Sequence, residues 1–274
     1  MKRTLMTIAA LFITLAAAAF TRVEIKVHSE AMNKDIPVIV ALPDGYQTMN
    51  ALRTVYLLHG YGDNYTAWSE KGNACPMADT YGVIIVMPDG GFDSWYYDSP
   101  VEPTYRYETF VARELVEYID SHYRTKAEPS ARAIAGLSVG GHGALYLAIR
   151  HQDVFGAAGS LSGGVDIRPF PDNWNIAKRL GTLAEHPDDW ERNTVINMID
   201  QINPDSLKII FDCGTEDFFY EVNCALHDKL MEAHIPHDFY QRPGVHNWDY
   251  WRYSLKYHML FFDKFFHSDS DANN

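Results

Sequence analysis

Residues 131–149 read Ala-Arg-Ala-Ile-Ala-Gly-Leu-Ser-Val-Gly-Gly-His-Gly-Ala-Leu-Tyr-Leu-Ala-Ile, which places Ser138 inside the pattern Gly136-x-Ser138-x-Gly140. A short apolar run precedes the serine and an Ala/Leu-rich run follows it, which is typical of a strand, a tight turn and a helix. This is the pattern of a nucleophile elbow, a turn that presents a serine hydroxyl to a base and to a substrate carbonyl. An ordinary glycine-rich turn is the alternative, because the short pattern also arises by chance.

The 274-residue chain has a globular composition, with 47% hydrophobic and 14% aromatic residues. This length allows one substantial core, so we expect a single domain over residues 20–267. Residues 268–274 are polar, and we expect them to form a disordered tail. No internal repeat or low-complexity linker divides the chain.

The N-terminus has the pattern of a secretory signal peptide over residues 1–19. Lys2 and Arg3 precede an apolar run from Leu5 to Ala19 that ends in small residues. A transmembrane anchor is the alternative, but it needs about 20 apolar residues. We therefore expect cleavage near Ala19, a secreted or periplasmic protein, and no stable membrane anchor.

The net charge bears on the possible partners, and the cysteine content bears on possible disulfides. Lys2 and Arg3 are two of the 23 basic residues, so the cleaved chain would carry 21 basic against 36 acidic residues, a formal charge of −15. Such a surface repels phosphate backbones, so we expect no nucleic acid partner. Besides Cys75, the chain has Cys213 and Cys224, which could form one disulfide or remain free thiols.

Strand-like and helical segments alternate along the chain. Strands are predicted at Val23–His28, Ile36–Leu42, Thr54–His59, Val83–Pro88, Ala131–Leu137, Ala157–Leu161, Leu207–Asp212 and His237–Gln241. Helices are predicted at Phe110–Tyr123, Gly141–Arg150, Trp190–Gln201, Phe219–Ala233 and Tyr250–Phe266. This alternation predicts an α/β protein with a mainly parallel central sheet and helices on both faces. The first two strands are adjacent and predict an antiparallel N-terminal edge.

Residues 163–204 form an insertion between two predicted sheet strands. It mixes Pro169, Pro171, Pro187, Trp174 and Trp190 with short helical stretches. Inserted segments at this place in an α/β sheet often cover the site like a lid. A helical crossover that only packs against the sheet is an equally good interpretation.

A serine nucleophile needs a base and a carboxylate that orients the base, and in α/β hydrolases the acid and then the histidine follow the serine. The run Leu207–Asp217 is a strand that enters a turn with three carboxylates. Asp212 lies in the strand, whereas Glu216 and Asp217 lie just beyond it. We favour Asp217 as the acid and keep Glu216 as the runner-up, because one residue of difference in a tight turn reverses the direction of a side chain.

His246 is the candidate base among twelve histidines. It follows the last predicted strand and a short loop, immediately before the C-terminal helix. An ordinary surface-loop histidine is the alternative interpretation. His142 is the competitor because it lies four residues beyond Ser138, but we expect it to pack under the turn.

Two backbone amides are candidates for the oxyanion hole. The amide of Val139 begins the elbow helix, where its donor lacks a helical partner. The second candidate is the amide of Tyr61, which lies in the loop after the predicted strand Thr54–His59.

Imidazoles and carboxylates near the expected site could in principle hold a metal. The residues concerned are His59, His142, His246, Glu216 and Asp217. No His-Glu-x-x-His or paired Cys-x-x-Cys spacing exists, so we expect no metal and no cofactor.

Four motifs in this order resemble the esterase D family of α/β hydrolases. They are Leu58-His59-Gly60-Tyr61-Gly62, Gly136-Leu-Ser-Val-Gly-Gly-His-Gly-Ala144, Asp212-Cys-Gly-Thr-Glu-Asp217 and Pro243-Gly-Val-His-Asn-Trp248. The resemblance spans roughly residues 23–266. This family includes S-formylglutathione hydrolases, feruloyl and acetylxylan esterases of carbohydrate esterase family 1, tributyrin-type esterases and mycolyltransferases.

The resemblance implies an α/β-hydrolase fold and a triad of Ser138, Asp217 and His246, with the amides of Tyr61 and Val139 as oxyanion donors. The chain departs from the family pattern at Val139, where Met is frequent, and at Val245, where Gly is frequent. The first change leaves a backbone donor intact. The second could alter the freedom of the histidine loop.

Export argues against a cytosolic thioester such as S-formylglutathione and favours extracellular esters. Trp95, Trp174 and Trp248, with Tyr96 and Tyr97, suit stacking on sugars or on a phenolic acyl ring, although aromatics are also ordinary core residues. We therefore expect a serine carboxylesterase for feruloyl or acetyl esters of plant cell-wall carbohydrate. The alternatives are a general short-chain (tributyrin-type) esterase that acts on small aryl or alkyl esters, a serine peptidase, and a carbohydrate-binding protein that has lost its chemistry.

Overall fold

The structure is a computed structural model that describes residues 20–271. Its centre is an eight-stranded sheet in the order β1-β2-β4-β3-β5-β6-β7-β8. The strands are β1 (Phe20–Ser29), β2 (Lys34–Pro43), β3 (Thr54–Leu58), β4 (Ile84–Pro88), β5 (Arg132–Leu137), β6 (Ala157–Leu161), β7 (Lys208–Gly214) and β8 (Asp238–Arg242). Pairing is antiparallel for β1 with β2 and for β2 with β4, and parallel elsewhere. The predicted sheet and its antiparallel N-terminal edge are confirmed.

The central strands are apolar along their whole length because both faces of the sheet are covered. Every residue of β3, β4, β5 and β6 is buried. Successive side chains of a strand point to opposite faces. In β3, Val55 and Leu57 accordingly face one core while Tyr56 and Leu58 face the other.

Nine helices lie on these two faces within residues 20–271. They are α1 (Ala67–Glu70), α2 (Cys75–Tyr81), α3 (Tyr107–Thr109), α4 (Leu115–His122), α5 (Val139–Arg150), α6 (Ile176–Leu180), α7 (Pro187–Arg192), α8 (Tyr220–Glu232) and α9 (Trp248–Asp271). A π-helical segment, Phe110–Glu114, joins α3 to α4. Helices α1, α2 and α9 pack into one core and α4 to α8 into the other.

The predicted helix Trp190–Gln201 is wrong. Helix α7 ends at Arg192, and two short 3-10 turns follow at Val195–Asn197 and Ile199–Gln201. Thr194 is extended, and its hydroxyl donates to the carbonyl of Trp190 at 2.7 Å. A side-chain hydroxyl thus takes the acceptor that the next helical amide would have used.

The predicted signal peptide and the end of the predicted tail lie outside the described residues. The signal peptide at 1–19 and residues 272–274 are not described. Helix α9 runs to Asp271 and so includes residues 268–271 of the segment expected to form a tail. Among the helices of residues 20–271, none is both long and apolar enough to span a bilayer. The three cysteines are free thiols.

Candidate active site

Ser138 occupies a strained turn between the end of β5 and the start of α5. Its φ of 54° and ψ of −118° lie outside the regions that residues with a side chain ordinarily adopt. Strain of this kind persists only where the surroundings impose it, and it is common at reactive positions. The residue is 8% exposed, so the hydroxyl is presented within a sheltered edge of the sheet.

The glycines of the elbow are required by close packing. A Cβ atom on Gly140 would lie 2.5 Å from the carbonyl oxygen of His59 and would also collide with the carbonyl of Leu58. A Cβ atom on Gly136 would collide with the backbone of Gly140. Backbone atoms cannot swing aside as the end of a side chain can, so this turn needs glycine at both positions.

A continuous chain of hydrogen bonds links Ser138, His246 and Asp217. The serine Oγ lies 2.9 Å from His246 Nε2, and His246 Nδ1 lies 2.7 Å from Asp217 Oδ2. The other carboxylate oxygen of Asp217 accepts the amide of Phe219 at 2.9 Å. With the carboxylate ionised, Nδ1 holds the imidazole proton and the lone pair of Nε2 faces the serine.

Backbone pairing at the ends of β7 and β8 fixes the relative position of acid and base. The amide of Thr215 donates to the carbonyl of Arg242, and the amide of Glu216 donates to that of Gly244. The side chain of Glu216 is exposed, whereas that of Asp217 is fully buried against His246. The structure therefore brings Asp217, and not the runner-up Glu216, to the histidine.

The two predicted oxyanion amides belong to segments that adjoin Ser138. Neither the amide of Val139 nor that of Tyr61 donates to an acceptor within residues 20–271. A Cβ atom on Gly60 would lie 3.4 Å from Cβ of Ser138, so the loop that carries Tyr61 lies directly against the serine. Free amides beside a nucleophile are suited to binding an oxyanion.

His142, the competitor for the base, and His59 are both buried, and burial favours their neutral forms. Burial lowers the pKa of His142 to about 3, and its Nδ1 donates to the carbonyl of Gly164 at 3.1 Å. Burial also lowers the pKa of His59, whose Nε2 accepts the amide of Gly90. His142 packs beneath the elbow as expected, with its ring stacked on that of Tyr146.

The three predicted substrate-binding tryptophans have different surroundings. The prediction for Trp95 is wrong, because its side chain is fully buried and its indole N–H donates to the carbonyl of Trp174. Trp248 packs edge-on against Trp68 and Trp251, and it is Trp251 whose ring contacts His246. Of the three, only Trp174 lies near the histidine, because its ring stacks on that of Phe218, which contacts His246. We call Trp174 and Phe218 the aromatic rim.

Two exposed phenylalanines near the site were missed from the sequence. Phe218 is 52% exposed, and its ring centroid lies 4.2 Å from that of His246 and 5.5 Å from that of Trp174. Phe92 is also exposed and contacts the ring of Tyr61. The position of Phe218 immediately after Asp217 was an available signal, whereas nothing in the sequence marked Phe92.

The insertion at 163–204 contacts the loop that carries Tyr61 directly. Asn175 donates to the hydroxyl of Tyr61 at 3.1 Å and to Oδ2 of Asp93 at 2.9 Å. Asp93 also forms a buried ion pair with Arg179 of α6 at 3.2 Å. The insertion thus forms one wall of the site through Trp174 and braces it through Asn175, while its apolar residues pack on the sheet.

The arrangement is suited to acyl transfer through a serine. It combines a hydroxyl, a base, a buried carboxylate and two free amides at one edge of the sheet. Across residues 20–271 there is no group of three or more side chains that could hold a metal ion.

Comparison with known proteins gives a consistent result. The chain matches the family described as "Putative esterase" over residues 29–262. Acetyl esterase from Caldicellulosiruptor saccharolyticus is 27% identical over 248 residues, which cover 83% of this chain and 92% of that protein. The diacylglycerol acyltransferase/mycolyltransferase Ag85B from Mycobacterium leprae is 30% identical over 277 residues, which cover 86% and 83%. A solved structure of a ferulic acid esterase matches with a TM-score of 0.78 at 28% identity, covering 90% of this chain and 98% of that one.

Proposed function

This chain belongs to the esterase family whose model it matches, and we propose that it hydrolyses acyl esters through a triad of Ser138, His246 and Asp217. Its fold is the α/β-hydrolase fold, and the resemblance to the esterase D family is confirmed. The chain is a carboxylic ester hydrolase. The observation that carries the proposed mechanism is the unbroken hydrogen-bond chain from Asp217 through His246 to Ser138.

In the first step, Nε2 of His246 takes the proton of Ser138 while the serine oxygen attacks the ester carbonyl. Asp217 holds the imidazole in the required tautomer and stabilises the imidazolium that forms. The amides of Val139 and Tyr61 bind the oxyanion. His246 then protonates the departing alcohol, and water repeats the attack on the acyl-enzyme.

For the substrate, we propose acyl groups carried on plant cell-wall carbohydrate, either feruloyl or acetyl. Two of the similar proteins bear the names acetyl esterase and ferulic acid esterase. The exposed ring of Phe218, stacked on Trp174 beside His246, offers a flat apolar surface for an aryl acyl group or a sugar ring. A general short-chain esterase would use the same triad and oxyanion amides but would not prefer esters carried on carbohydrate.

We also propose that residues 1–19 are removed on export, which leaves an enzyme outside the cytoplasm. The charged start, the short apolar run and the small residues before Phe20 support this. Sequencing the N-terminus of the protein recovered from the native secretome or periplasm tests it. An intact Met1 on the recovered protein would contradict it.

The triad is tested with Ser138→Ala on p-nitrophenyl acetate, where we expect turnover to fall by about 10⁴-fold or more. A fluorophosphonate should add once to the unaltered protein, at Ser138, and not to the variant. Unchanged turnover in a folded Ser138→Ala protein would overturn the assignment. Absence of any adduct on the unaltered protein would favour a non-catalytic binding protein.

Substrate preference is tested by comparing kcat/KM for methyl ferulate, acetylated xylan, a p-nitrophenyl series of increasing acyl length, and matched peptide amides. Preference for methyl ferulate supports a phenolic acyl group, and acetate release from xylan supports an acetyl group. Equal activity on simple short esters and none on either cell-wall substrate would leave the general esterase. Cleavage of the amides at a comparable rate would indicate a peptidase.

A further inference from the structure

Three aromatic rings surround the imidazole of His246. The ring centroid of Phe218 lies 4.2 Å away, that of Trp251 lies 4.8 Å away and that of Phe219 lies 5.5 Å away. Trp251 and Phe219 are buried and stand at 90° and 79° to the imidazole plane. Phe218 is tilted from that plane by 39° and is 52% exposed. Burial in the core therefore does not account for the place of the nearest ring.

The exposed ring of Phe218 is held against the histidine by its neighbours. It lies edge-on to Phe219 at 4.7 Å, and it stacks on Trp174 of the insertion at 5.5 Å with 20° between the planes. Its backbone directly follows Asp217, whose carboxylate is hydrogen-bonded to Nδ1 of His246. The turn that supplies the acid thus also places an aromatic ring beside the base.

The proposed reaction turns this neutral contact into a contact with a cation. When Nε2 of His246 takes the proton of Ser138, the imidazole becomes an imidazolium. The face of an aromatic ring attracts a cation that lies within about 6 Å of its centroid. The imidazole is well inside this distance from Phe218. Phe218 should therefore interact more strongly with the transition state than with the resting enzyme, which is the condition for accelerating a step.

Several titratable side chains lie on the elements around His246. They are Asp212, Cys213, Glu216 and Asp217 of β7 and its turn, Arg242 of β8, His142 of α5, and Asp249, Tyr250 and Arg252 of α9. In the hydrogen bonds of residues 20–271, Asp217 is the member of this set that reaches the imidazole. Arg242 is paired with Asp212, and Arg252 with Asp249. A change confined to the ring of Phe218 leaves all of these groups in place.

We propose that Phe218 is a positioning residue for the base, whose ring holds the imidazole of His246 and stabilises it once it carries the proton of Ser138. The 4.2 Å contact, the half-exposed place of the ring and its support by Trp174 carry this inference. The inference rests on the proposed triad and adds to it a residue that acts through His246.

Fluorine substitution tests the inference, because it weakens the negative face of the ring and nearly preserves its shape. Phe218 is replaced by mono-, di- and trifluorinated phenylalanine, and kcat/KM for p-nitrophenyl acetate is measured against pH. The acidic limb of this profile reports protonation of the base in the free enzyme. We expect the limb to move to lower pH by about half a unit across the series, since a weaker contact disfavours the imidazolium. The plateau above the limb should fall about threefold, because the same contact is lost from the transition state.

Phe92 provides the matched control. It is also an exposed phenylalanine, its ring contacts that of Tyr61 at 4.9 Å, and within residues 20–271 it has no ring contact with His246. The same fluorinated series at Phe92 should leave the acidic limb where it is. A limb that stays fixed in the Phe218 series, or moves equally in both series, would overturn the role of Phe218 and leave the triad intact. A lower plateau without a shift of the limb would overturn it too, since the ring would then act on the substrate and not on the charged base.

A measurement without turnover separates this inference from the proposed triad. In the Ser138→Ala protein, nitrogen NMR of the His246 imidazole follows its protonation against pH, and loss of the signal in a His246→Gln protein assigns it. A shift of this titration to lower pH across the Phe218 series supports the ring contact independently of any activity. A titration that is the same in every member of the series would overturn it. Unchanged turnover in a folded Ser138→Ala protein would instead contradict the proposed function.

Discussion

The proposed site is built from two regions of different construction: a frame on the strand ends, which holds the proposed triad, and an aromatic rim on loops. The frame holds Ser138, Asp217 and His246 at the ends of β5, β7 and β8, where sheet pairing fixes the backbone. The rim holds Trp174 and Phe218 on segments outside the sheet. In the frame, a side chain's position follows from strand register, whereas in the rim it follows from contacts between distant loops.

This difference separates chemistry from recognition within one site. Proton transfer needs heavy atoms placed within hydrogen-bond distance, which a rigid sheet edge provides. Substrate selection needs surfaces that can change without moving the triad, which loops provide. Changes to the frame should therefore cost orders of magnitude in turnover, and changes to the rim much less.

The largest expected effect on kcat distinguishes His246 of the frame from the buried His142 of helix α5. His246→Ala removes the proposed base, so kcat on p-nitrophenyl acetate should fall by at least about 10³-fold. His142→Ala removes a buried ring stacked on Tyr146, so its main effect should be on the free energy of unfolding, by about 2–4 kcal/mol. Steady-state kinetics and urea unfolding of both variants measure the two effects. A comparable loss of kcat in a folded His142→Ala protein would contradict the assignment of the base.

The next largest effect tests whether the position of Ser138 depends on the close contact between Gly140 and the backbone of β3. Gly140→Ala places a Cβ atom against the carbonyls of Leu58 and His59, so the elbow must shift. We expect a loss of about 1–3 kcal/mol in unfolding free energy, together with a fall in kcat. Gly82→Ala is the control for adding a methyl group, because open space surrounds a Cβ atom there and only its left-handed backbone is penalised. Full activity in Gly140→Ala would show that the elbow tolerates displacement.

The frame could be predicted from the sequence because its signals are local. A β-branched and small-residue strand, a glycine-flanked serine and an Ala/Leu-rich helix gave the elbow. The order of carboxylate and histidine behind later strands then gave Asp217 and His246. The elbow uses periodicity and turn chemistry within a dozen residues, whereas Asp217 and His246 also needed the chain order typical of α/β hydrolases.

The rim could not be predicted in the same way. Trp95 looked like a substrate-stacking residue, yet the fold buries it, because the burial of a loop aromatic depends on segments far away in the chain. Its partner Trp174 is 79 residues away. The short helices α1, α2 and α6 span seven residues or fewer and give little periodic signal. The polar contact of Asn175 with Tyr61 joins residues 114 apart.

A buried carboxylate, Glu108, is linked through Tyr146 to the elbow helix α5 and to the insertion, and we expect its ionisation to make stability depend on pH. Glu108 accepts hydrogen bonds from Tyr146, Arg150 and His151, and Tyr146 also contacts Asn193 of the insertion. Although burial opposes ionisation, the hydrogen bonds from His151, Arg150 and Tyr146 hold the pKa of Glu108 at about 2. A depressed pKa stabilises the fold above the ordinary carboxyl pKa of 4.5, and that stability is lost as pH falls from 4.5 towards 2.

Glu108→Gln should therefore lower the unfolding free energy by about 1–3 kcal/mol at pH 7 and by progressively less as pH falls below 4.5. Urea unfolding at a series of pH values measures this difference. Glu117→Gln is the control, since its exposed pair with Arg113 should contribute little. A difference between Glu108→Gln and the unaltered protein that is independent of pH would show that ionisation of Glu108 is not the cause.

The smallest expected effect lies where the frame and the rim meet, at the hydrogen bond from Asn175 to the Tyr61 hydroxyl. Tyr61→Phe deletes the acceptor, and Asn175→Gly deletes the donor without strain, because residue 175 has a φ of 55° that glycine adopts freely. Each should lower kcat by up to about tenfold, since one hydrogen bond contributes about 0.5–1.5 kcal/mol.

If this bond positions the Tyr61 amide for the oxyanion, the double variant should be little slower than Tyr61→Phe alone, because the second deletion removes no further link between them. KM for short esters should change less than kcat, since an oxyanion forms only after binding. Additive losses would instead mean that Asn175 acts through Asp93 and the stability of the insertion. In that case the hydrogen bond from Asn175 would not position the Tyr61 amide, and kcat would depend on the frame and not on the rim.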